Sequence, residues 1–360
     1  MWIGVLRQGS FPGDDPMWQY PPAAGPVVMA AAALPGTYAQ SFVALMLLVD
    51  LALLVALLVV HANSPGAQWR GPVLWAAAGV VLGPILLTRF DLVPTLFAVL
   101  AVLLAGRPVW SGISAGLGAL VKLWPALILI SLPRRAMGRG ALGLALTVIA
   151  LGLALSAAFS GSGIGGALSF IGNQSGRGLQ VESVGALPFV VYSAFSDTGR
   201  FPYEYGSVQV GVSWATWVGT ALTVAGLVVL LVVAWWRLSG RIDDVAPADL
   251  ALTVMLVSVA SSRVYSPQFN VWLVGLAAAA LLVGATRLTA VVALVVGVSL
   301  VTQVVYPWSV TELVDGDLPA VAAQTARILG LLMATGLALW RIRPIGGVPS
   351  RSASLNTGTE

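Results

Sequence analysis

The chain has 360 residues, 58% of them hydrophobic and only 9% charged, with one histidine, no cysteine and a formal charge of +4. Those values exclude a soluble globular protein, a disulfide framework and a thiolate or histidine-based metal centre, and they describe a polytopic integral membrane protein. Its arginines stand at the ends of apolar runs instead of forming a basic stripe, so membrane lipids and not nucleic acid are the expected surroundings. The 40 glycines and 21 prolines fall largely inside apolar segments, where close helix packing and broken helices use them.

Residues 1–22 read as an irregular or short interfacial segment rich in aromatic anchors, with neither a signal peptide nor a span. Apolar runs follow at 39–60, 71–88, 90–106, 109–132, 140–160, 184–195, 207–236, 248–262, 266–284, 288–306 and 318–342. By length and bilayer logic the fold is all-α, with about 9–11 transmembrane or re-entrant helices. Arg70, Arg107, Arg134, Arg135, Arg139, Arg237, Arg241, Arg287, Arg341 and Arg343 mark cytoplasmic ends by the positive-inside rule. One membrane-embedded domain is expected over residues 1–343, with 1–38 and 161–205 as non-cytoplasmic loops and 344–360 as a disordered cytoplasmic tail.

Lys122, the only lysine, interrupts the 109–132 run. An ammonium at membrane depth costs about 2.5–3.5 kcal/mol or more, so such residues usually line a polar cavity. If Arg107 and Arg134 share a side, the run must enter and return as two half-helices with Lys122 and Pro125 at the break, where free helix ends create binding sites. A single spanning helix kinked at Pro125 is the alternative. The 161–205 loop carries Asn173, Gln174, Arg177, Glu182 and several aromatics, residue types suited to sugar recognition. Its glycine stretch at 161–166 lacks the lysine of a phosphate loop.

Four motifs carry a family resemblance. Trp18-Gln19-Tyr20-Pro21-Pro22 follows a Phe-Pro turn, Arg89-Phe90-Asp91 lies between two apolar runs, Lys122-Leu123-Trp124-Pro125 follows a glycine-rich helix, and Ser266-Pro267-Gln268-Phe269-Asn270-Val271-Trp272 opens another. In order and spacing over residues 10–275 they resemble glycosyltransferase family 87 of the GT-C superfamily. The resemblance implies a plasma-membrane enzyme with an outward-facing site, mannosyltransferase-like and of actinobacterial type. It would transfer mannose or arabinose, with inversion, from a polyprenyl-phosphate donor to a glycolipid or polysaccharide acceptor, with no cofactor and no metal. It also implies a spanning helix and a loop carboxylate ahead of the present residue 1.

The roles this implies are a carboxylate base and cations for the leaving phosphate. Asp14, Asp15 and Asp91 are the catalytic candidates, and Lys122, Arg89 and Arg263 the donor-phosphate ligands. Asp91 can alternatively orient Arg89, two residues away. Tyr20, Asn173, Gln174, Glu182, Tyr265 and Gln268 are the substrate-binding candidates. A transporter or lipid flippase, which also places charge near broken helices, and an inactive truncated paralogue are the competing readings.

Overall fold

The computed structural model describes residues 2–175, 177–196 and 201–344. All but the first residue of the tail expected over 344–360 therefore lies outside the described residues. Among them the fold is all-α apart from a two-residue hairpin, Tyr203–Glu204 with Ser207–Val208. Five helices are long and apolar enough to cross a membrane: Tyr38–Asn63, Arg134–Ala158, Ala215–Leu238, Thr289–Trp308 and Leu318–Ile342. Shorter apolar helices, including Leu92–Leu103, Pro108–Val121, Pro247–Ala260 and Phe269–Leu282, fill the space between them. The last two are apolar on every side and buried almost throughout, so they form the centre of the bundle.

Sequence chemistry sets the helix limits. Thr37 and Gln40 form a reciprocal capping box at the start of Tyr38–Asn63. The apolar run at 71–88 is not one helix but three, Arg70–Ala76, Ala78–Leu82 and Ile85–Thr88. Gly83 at φ +60° and Pro84 end the second of these. The Gln303 amide then satisfies the carbonyls of Val80 and Val81, both at 2.8 Å.

The 109–132 run breaks where expected. The Pro108–Val121 helix ends at Lys122 in extended backbone, and a 3-10 helix, Trp124–Ser131, leads to Arg134–Ala158. Contacts between the two flanking helices advance in the same sense, Pro108 with Gly140, Gly116 with Thr147 and Leu120 with Gly152, so the helices run parallel. The chain between them therefore enters and returns at one end of the bundle. Fourteen residues rise only about 21 Å, short of the ~30 Å hydrocarbon core. The close approach needs glycine: a Cβ on Gly112 would meet the Gly140 carbonyl, and one on Gly143 the Val109 carbonyl. At the return end, buried Arg237 donates to the carbonyls of Ser131 and Leu132, each at 2.9 Å, and so caps the 3-10 helix.

The segments expected as non-cytoplasmic loops carry short helices of their own: Gly163–Ser175 and Leu187–Ser193 within 161–205, and Trp2–Arg7 and Ala24–Ala33 within 1–38.

Candidate active site

A cavity of about 1600 Å³ opens between the Lys122 break, the Arg89–Asp91 turn, the N-terminal segment and the break at 261–268. Lys122 and Asp91 form its centre. Lys122 leaves the helix as the backbone turns extended, and Asp91 stands at the N-terminus of Leu92–Leu103. Lys122 Nζ lies 2.5 Å from Asp91 Oδ1, and the Trp272 indole N–H donates to the same oxygen at 2.8 Å. Four rings, Tyr20, Phe90, Phe269 and Trp272, surround the ammonium with centroids 5.1–5.8 Å away. Pairing and π-faces together replace the hydration that the charge loses at this depth. Asp91 therefore binds Lys122 and not Arg89, which corrects the expectation that it orients the guanidinium two residues away.

Three further cations line the cavity without an ion pair among the described residues: Arg89, Arg177 and Arg263. Arg89 reaches Tyr306 OH at 3.5 Å. Arg263 donates to Thr220 Oγ1 at 2.9 Å and to the Arg177 carbonyl at 3.4 Å, which places it beside Arg177. Arg177 bonds Ser207 Oγ at 3.1 Å, while its buried Nε has no partner among the described residues. Burial pulls the Arg177 pKa below its usual range, partly offset by Tyr20. Burial pushes the Tyr20 phenol up, as does Asp91, while Arg89 and Arg177 pull it down, so Tyr20 stands within the fields of all three. Apolar side chains also line the cavity, Leu227 and Leu230 from Ala215–Leu238 and Met255 and Val259 from Pro247–Ala260, with Thr223 and Ser258 among them.

The remaining candidates divide by position. Asp15 lines the cavity, its carboxylate held by the Trp2 indole at 2.8 Å and the Met17 N–H at 2.9 Å, whereas Asp14 is exposed and outside the lining. Gln268 lines the cavity at the start of Phe269–Leu282. Asn173 does not: its amide donates to the carbonyls of Gly13, Asp15 and Trp18, at 2.9–3.4 Å. Gln174 lines the rim but spends its amide on the Gln19 carbonyl at 2.8 Å. Both amides thus clasp the N-terminal segment. Tyr265 is fully buried behind the wall, its hydroxyl bonded to Asn270 Oδ1 at 3.0 Å, which removes it from substrate contact.

Glu182 lines the cavity but is held from behind by Arg327, a residue sequence reading passed over. Arg327 Nη1 meets Glu182 Oε1 at 3.0 Å, and Gln180 donates to Oε2 at 2.9 Å. The signal was available: Arg327 is a charge inside an apolar run, as Lys122 is. Arg177 was visible only as one polar residue among many. Among the described residues no three His, Asp or Glu side chains gather in metal-ligating geometry.

Comparison with known proteins bears on this arrangement. No match is found among curated proteins or among solved structures. The profile of glycosyltransferase family 87 matches residues 18–262, a span that carries Tyr20, Arg89, Asp91, Lys122, Arg177 and most of the cavity wall. The chain belongs to glycosyltransferase family 87.

Proposed function

We propose that this membrane glycosyltransferase moves mannose or arabinose from a polyprenyl-phosphate donor to a glycolipid or polysaccharide acceptor, on the outer face of the plasma membrane. One observation carries the reading. A single cavity joins three arginines that have no ion pair among the described residues to apolar side chains of membrane-embedded helices. An amphiphilic anion fits both at once, with its chain along Leu227, Leu230, Met255 and Val259 and its phosphate at Arg89, Arg177 and Arg263.

In the transfer, the acceptor oxygen attacks the anomeric carbon and the bond to the phosphate oxygen breaks, the leaving group keeping the electron pair. The arginines and Lys122 stabilise the charge that develops there. Asp15 is the best base of the three cavity carboxylates, since it is bonded by neutral N–H groups, whereas Asp91 is committed to Lys122 and Glu182 to Arg327. Asp91 then serves to hold Lys122 in its ring of aromatics. Gln268 and Tyr20 are placed to bond sugar hydroxyls. The domain spans residues 1–343, with the Lys122 break reaching the site from the cytoplasmic end.

Proteoliposomes given labelled polyprenyl-phosphate mannose or arabinose should yield labelled acceptor, and the same sugars as nucleotide conjugates should not. Direct use of the nucleotide sugars would sink the donor assignment. Undiminished transfer by Lys122→Ala and Arg263→Ala would sink the phosphate ligands.

A further inference from the structure

The Gly163–Ser175 helix shows an apolar stripe of which only Ile171 also lines the cavity. It carries no charged residue, and Ile164, Leu168 and Ile171 recur at the spacing of one helical face. Their exposures are 62%, 51% and 56%. On the other side Ala167 and Phe170 are buried, and Asn173 clasps the N-terminal segment that brings Asp15, Gln19 and Tyr20 to the cavity.

Chain geometry limits where this stripe can lie. Arg134–Ala158 is a membrane-crossing candidate whose Leu142, Leu146, Ile149 and Leu153 are each more than half exposed, as a lipid-facing helix requires. The chain from Ala158 to Gly163 spans at most about 18 Å even if extended. It is shortened further by the 3-10 turn Ser160–Ser162 and redirected at Gly163, whose φ of +59° permits the sharp exit. The stripe therefore begins within the interfacial layer reached by the lipid-facing one.

We propose that Gly163–Ser175 is an interfacial helix, docked through Ile164, Leu168 and Ile171 into the boundary between lipid headgroups and acyl chains. A helix with one exposed apolar face, its other face bound to protein through Ala167, Phe170 and Asn173, suits that layer. The consequence, which rests on the glycosyltransferase reading, is that bilayer contact sets the depth of Asp15, Gln19 and Tyr20 relative to a lipid-borne substrate. The membrane becomes part of the scaffold of the site.

The chain has no cysteine, so single cysteines can be placed without background. Leu168→Cys and Ile171→Cys would each carry a nitroxide, with the protein in vesicles of phosphatidylethanolamine and phosphatidylglycerol. Leu146→Cys is the lipid reference and exposed Glu204→Cys the water reference. Collision with oxygen relative to a nickel chelate should be several-fold higher at positions 168 and 171 than at 204, approaching that at 146. Ratios equal to position 204 would overturn the proposal. Protection from both quenchers would overturn it too, in favour of a protein partner on this face. The readout involves no sugar transfer, so its failure leaves the proposed activity standing.

Discussion

Two buried ion pairs flank the cavity, and they are built for different work. Glu182–Arg327 is closed: the guanidinium is fully buried, bonded also to Gln324 and to the Tyr265 carbonyl, and stacked 4.0 Å over the Tyr265 ring. Lys122–Asp91 is open: the lysine side chain keeps 15% exposure, and the bonds from Lys122 and Trp272 both fall on Oδ1 of the aspartate. The closed pair ties three places together, the 180–182 segment, the break at 261–268 and the Leu318–Ile342 helix. Gln180 completes the link by accepting the Tyr265 N–H at 3.0 Å, which fixes the backbone that carries Arg263. The lesson is that burial alone does not mark a catalytic charge. What marks it is burial with bonding capacity left facing a cavity.

The sharpest way to break this comparison is to cut one partner from each pair. Arg327→Met leaves the buried Glu182 without its cation, and the fold should lose about 3–5 kcal/mol, read as a lowered unfolding midpoint in detergent. Arg327→Met combined with Glu182→Gln should restore most of it, since no buried charge remains. Lys122→Met should cost less stability, because Asp91 keeps its indole donor, whereas Arg327→Met also removes the bonds to Gln324 and to the Tyr265 carbonyl. Its effect should fall on turnover instead, by about 10²–10³, the usual loss when one preorganised charge is removed. Equal stability losses in the two variants would erase the distinction between closed and open pairs.

The same contrast explains what the sequence made legible. Apolar runs located most helices because lipid forces the backbone to satisfy itself locally, and placing the arginines at 107 and 134 on one side pointed to the break at Lys122. Motif resemblance placed Arg89, Lys122 and Gln268 on one cavity. The identity of each charge's partner stayed hidden, because Asp91 meets Lys122 across 31 positions and Trp272 across 181. Arg89, the near neighbour in sequence, proved the wrong partner. Glycine-rich composition concealed the Gly163–Ser175 helix, whose stability comes from packing against the N-terminal segment instead of from propensity.

Smaller effects test the clasp that holds the proposed base. Asn173→Ala removes an amide shared among three carbonyls and should loosen the segment bearing Asp15 and Tyr20 by about 1 kcal/mol. The expected signature is a KM several-fold higher with kcat little changed, read by donor titration. A pure loss of kcat would instead mean that Asn173 touches the reacting groups.

The smallest effect, and the most specific to the closed pair, is its response to pH. Burial raises the Glu182 carboxyl above its ordinary value of 4.5, and Arg327 opposes this through charge and hydrogen bonding. A raised carboxyl means that the folded state holds its proton to higher pH than the unfolded state does. In the window above 4.5 the folded chain thus binds more protons, and stability falls as pH rises through that window. Arg327→Met removes the two opposing causes, so its folded carboxyl moves further up and the fall becomes larger. The stability gap between wild type and Arg327→Met should accordingly narrow on acidification, as Glu182 takes up its proton in both. Unfolding midpoints measured across that range check it, with the Glu182→Gln background as the control in which the dependence should vanish. A gap that stays constant with pH would mean that Arg327 stabilises the fold by packing on Tyr265 and not by holding a buried charge.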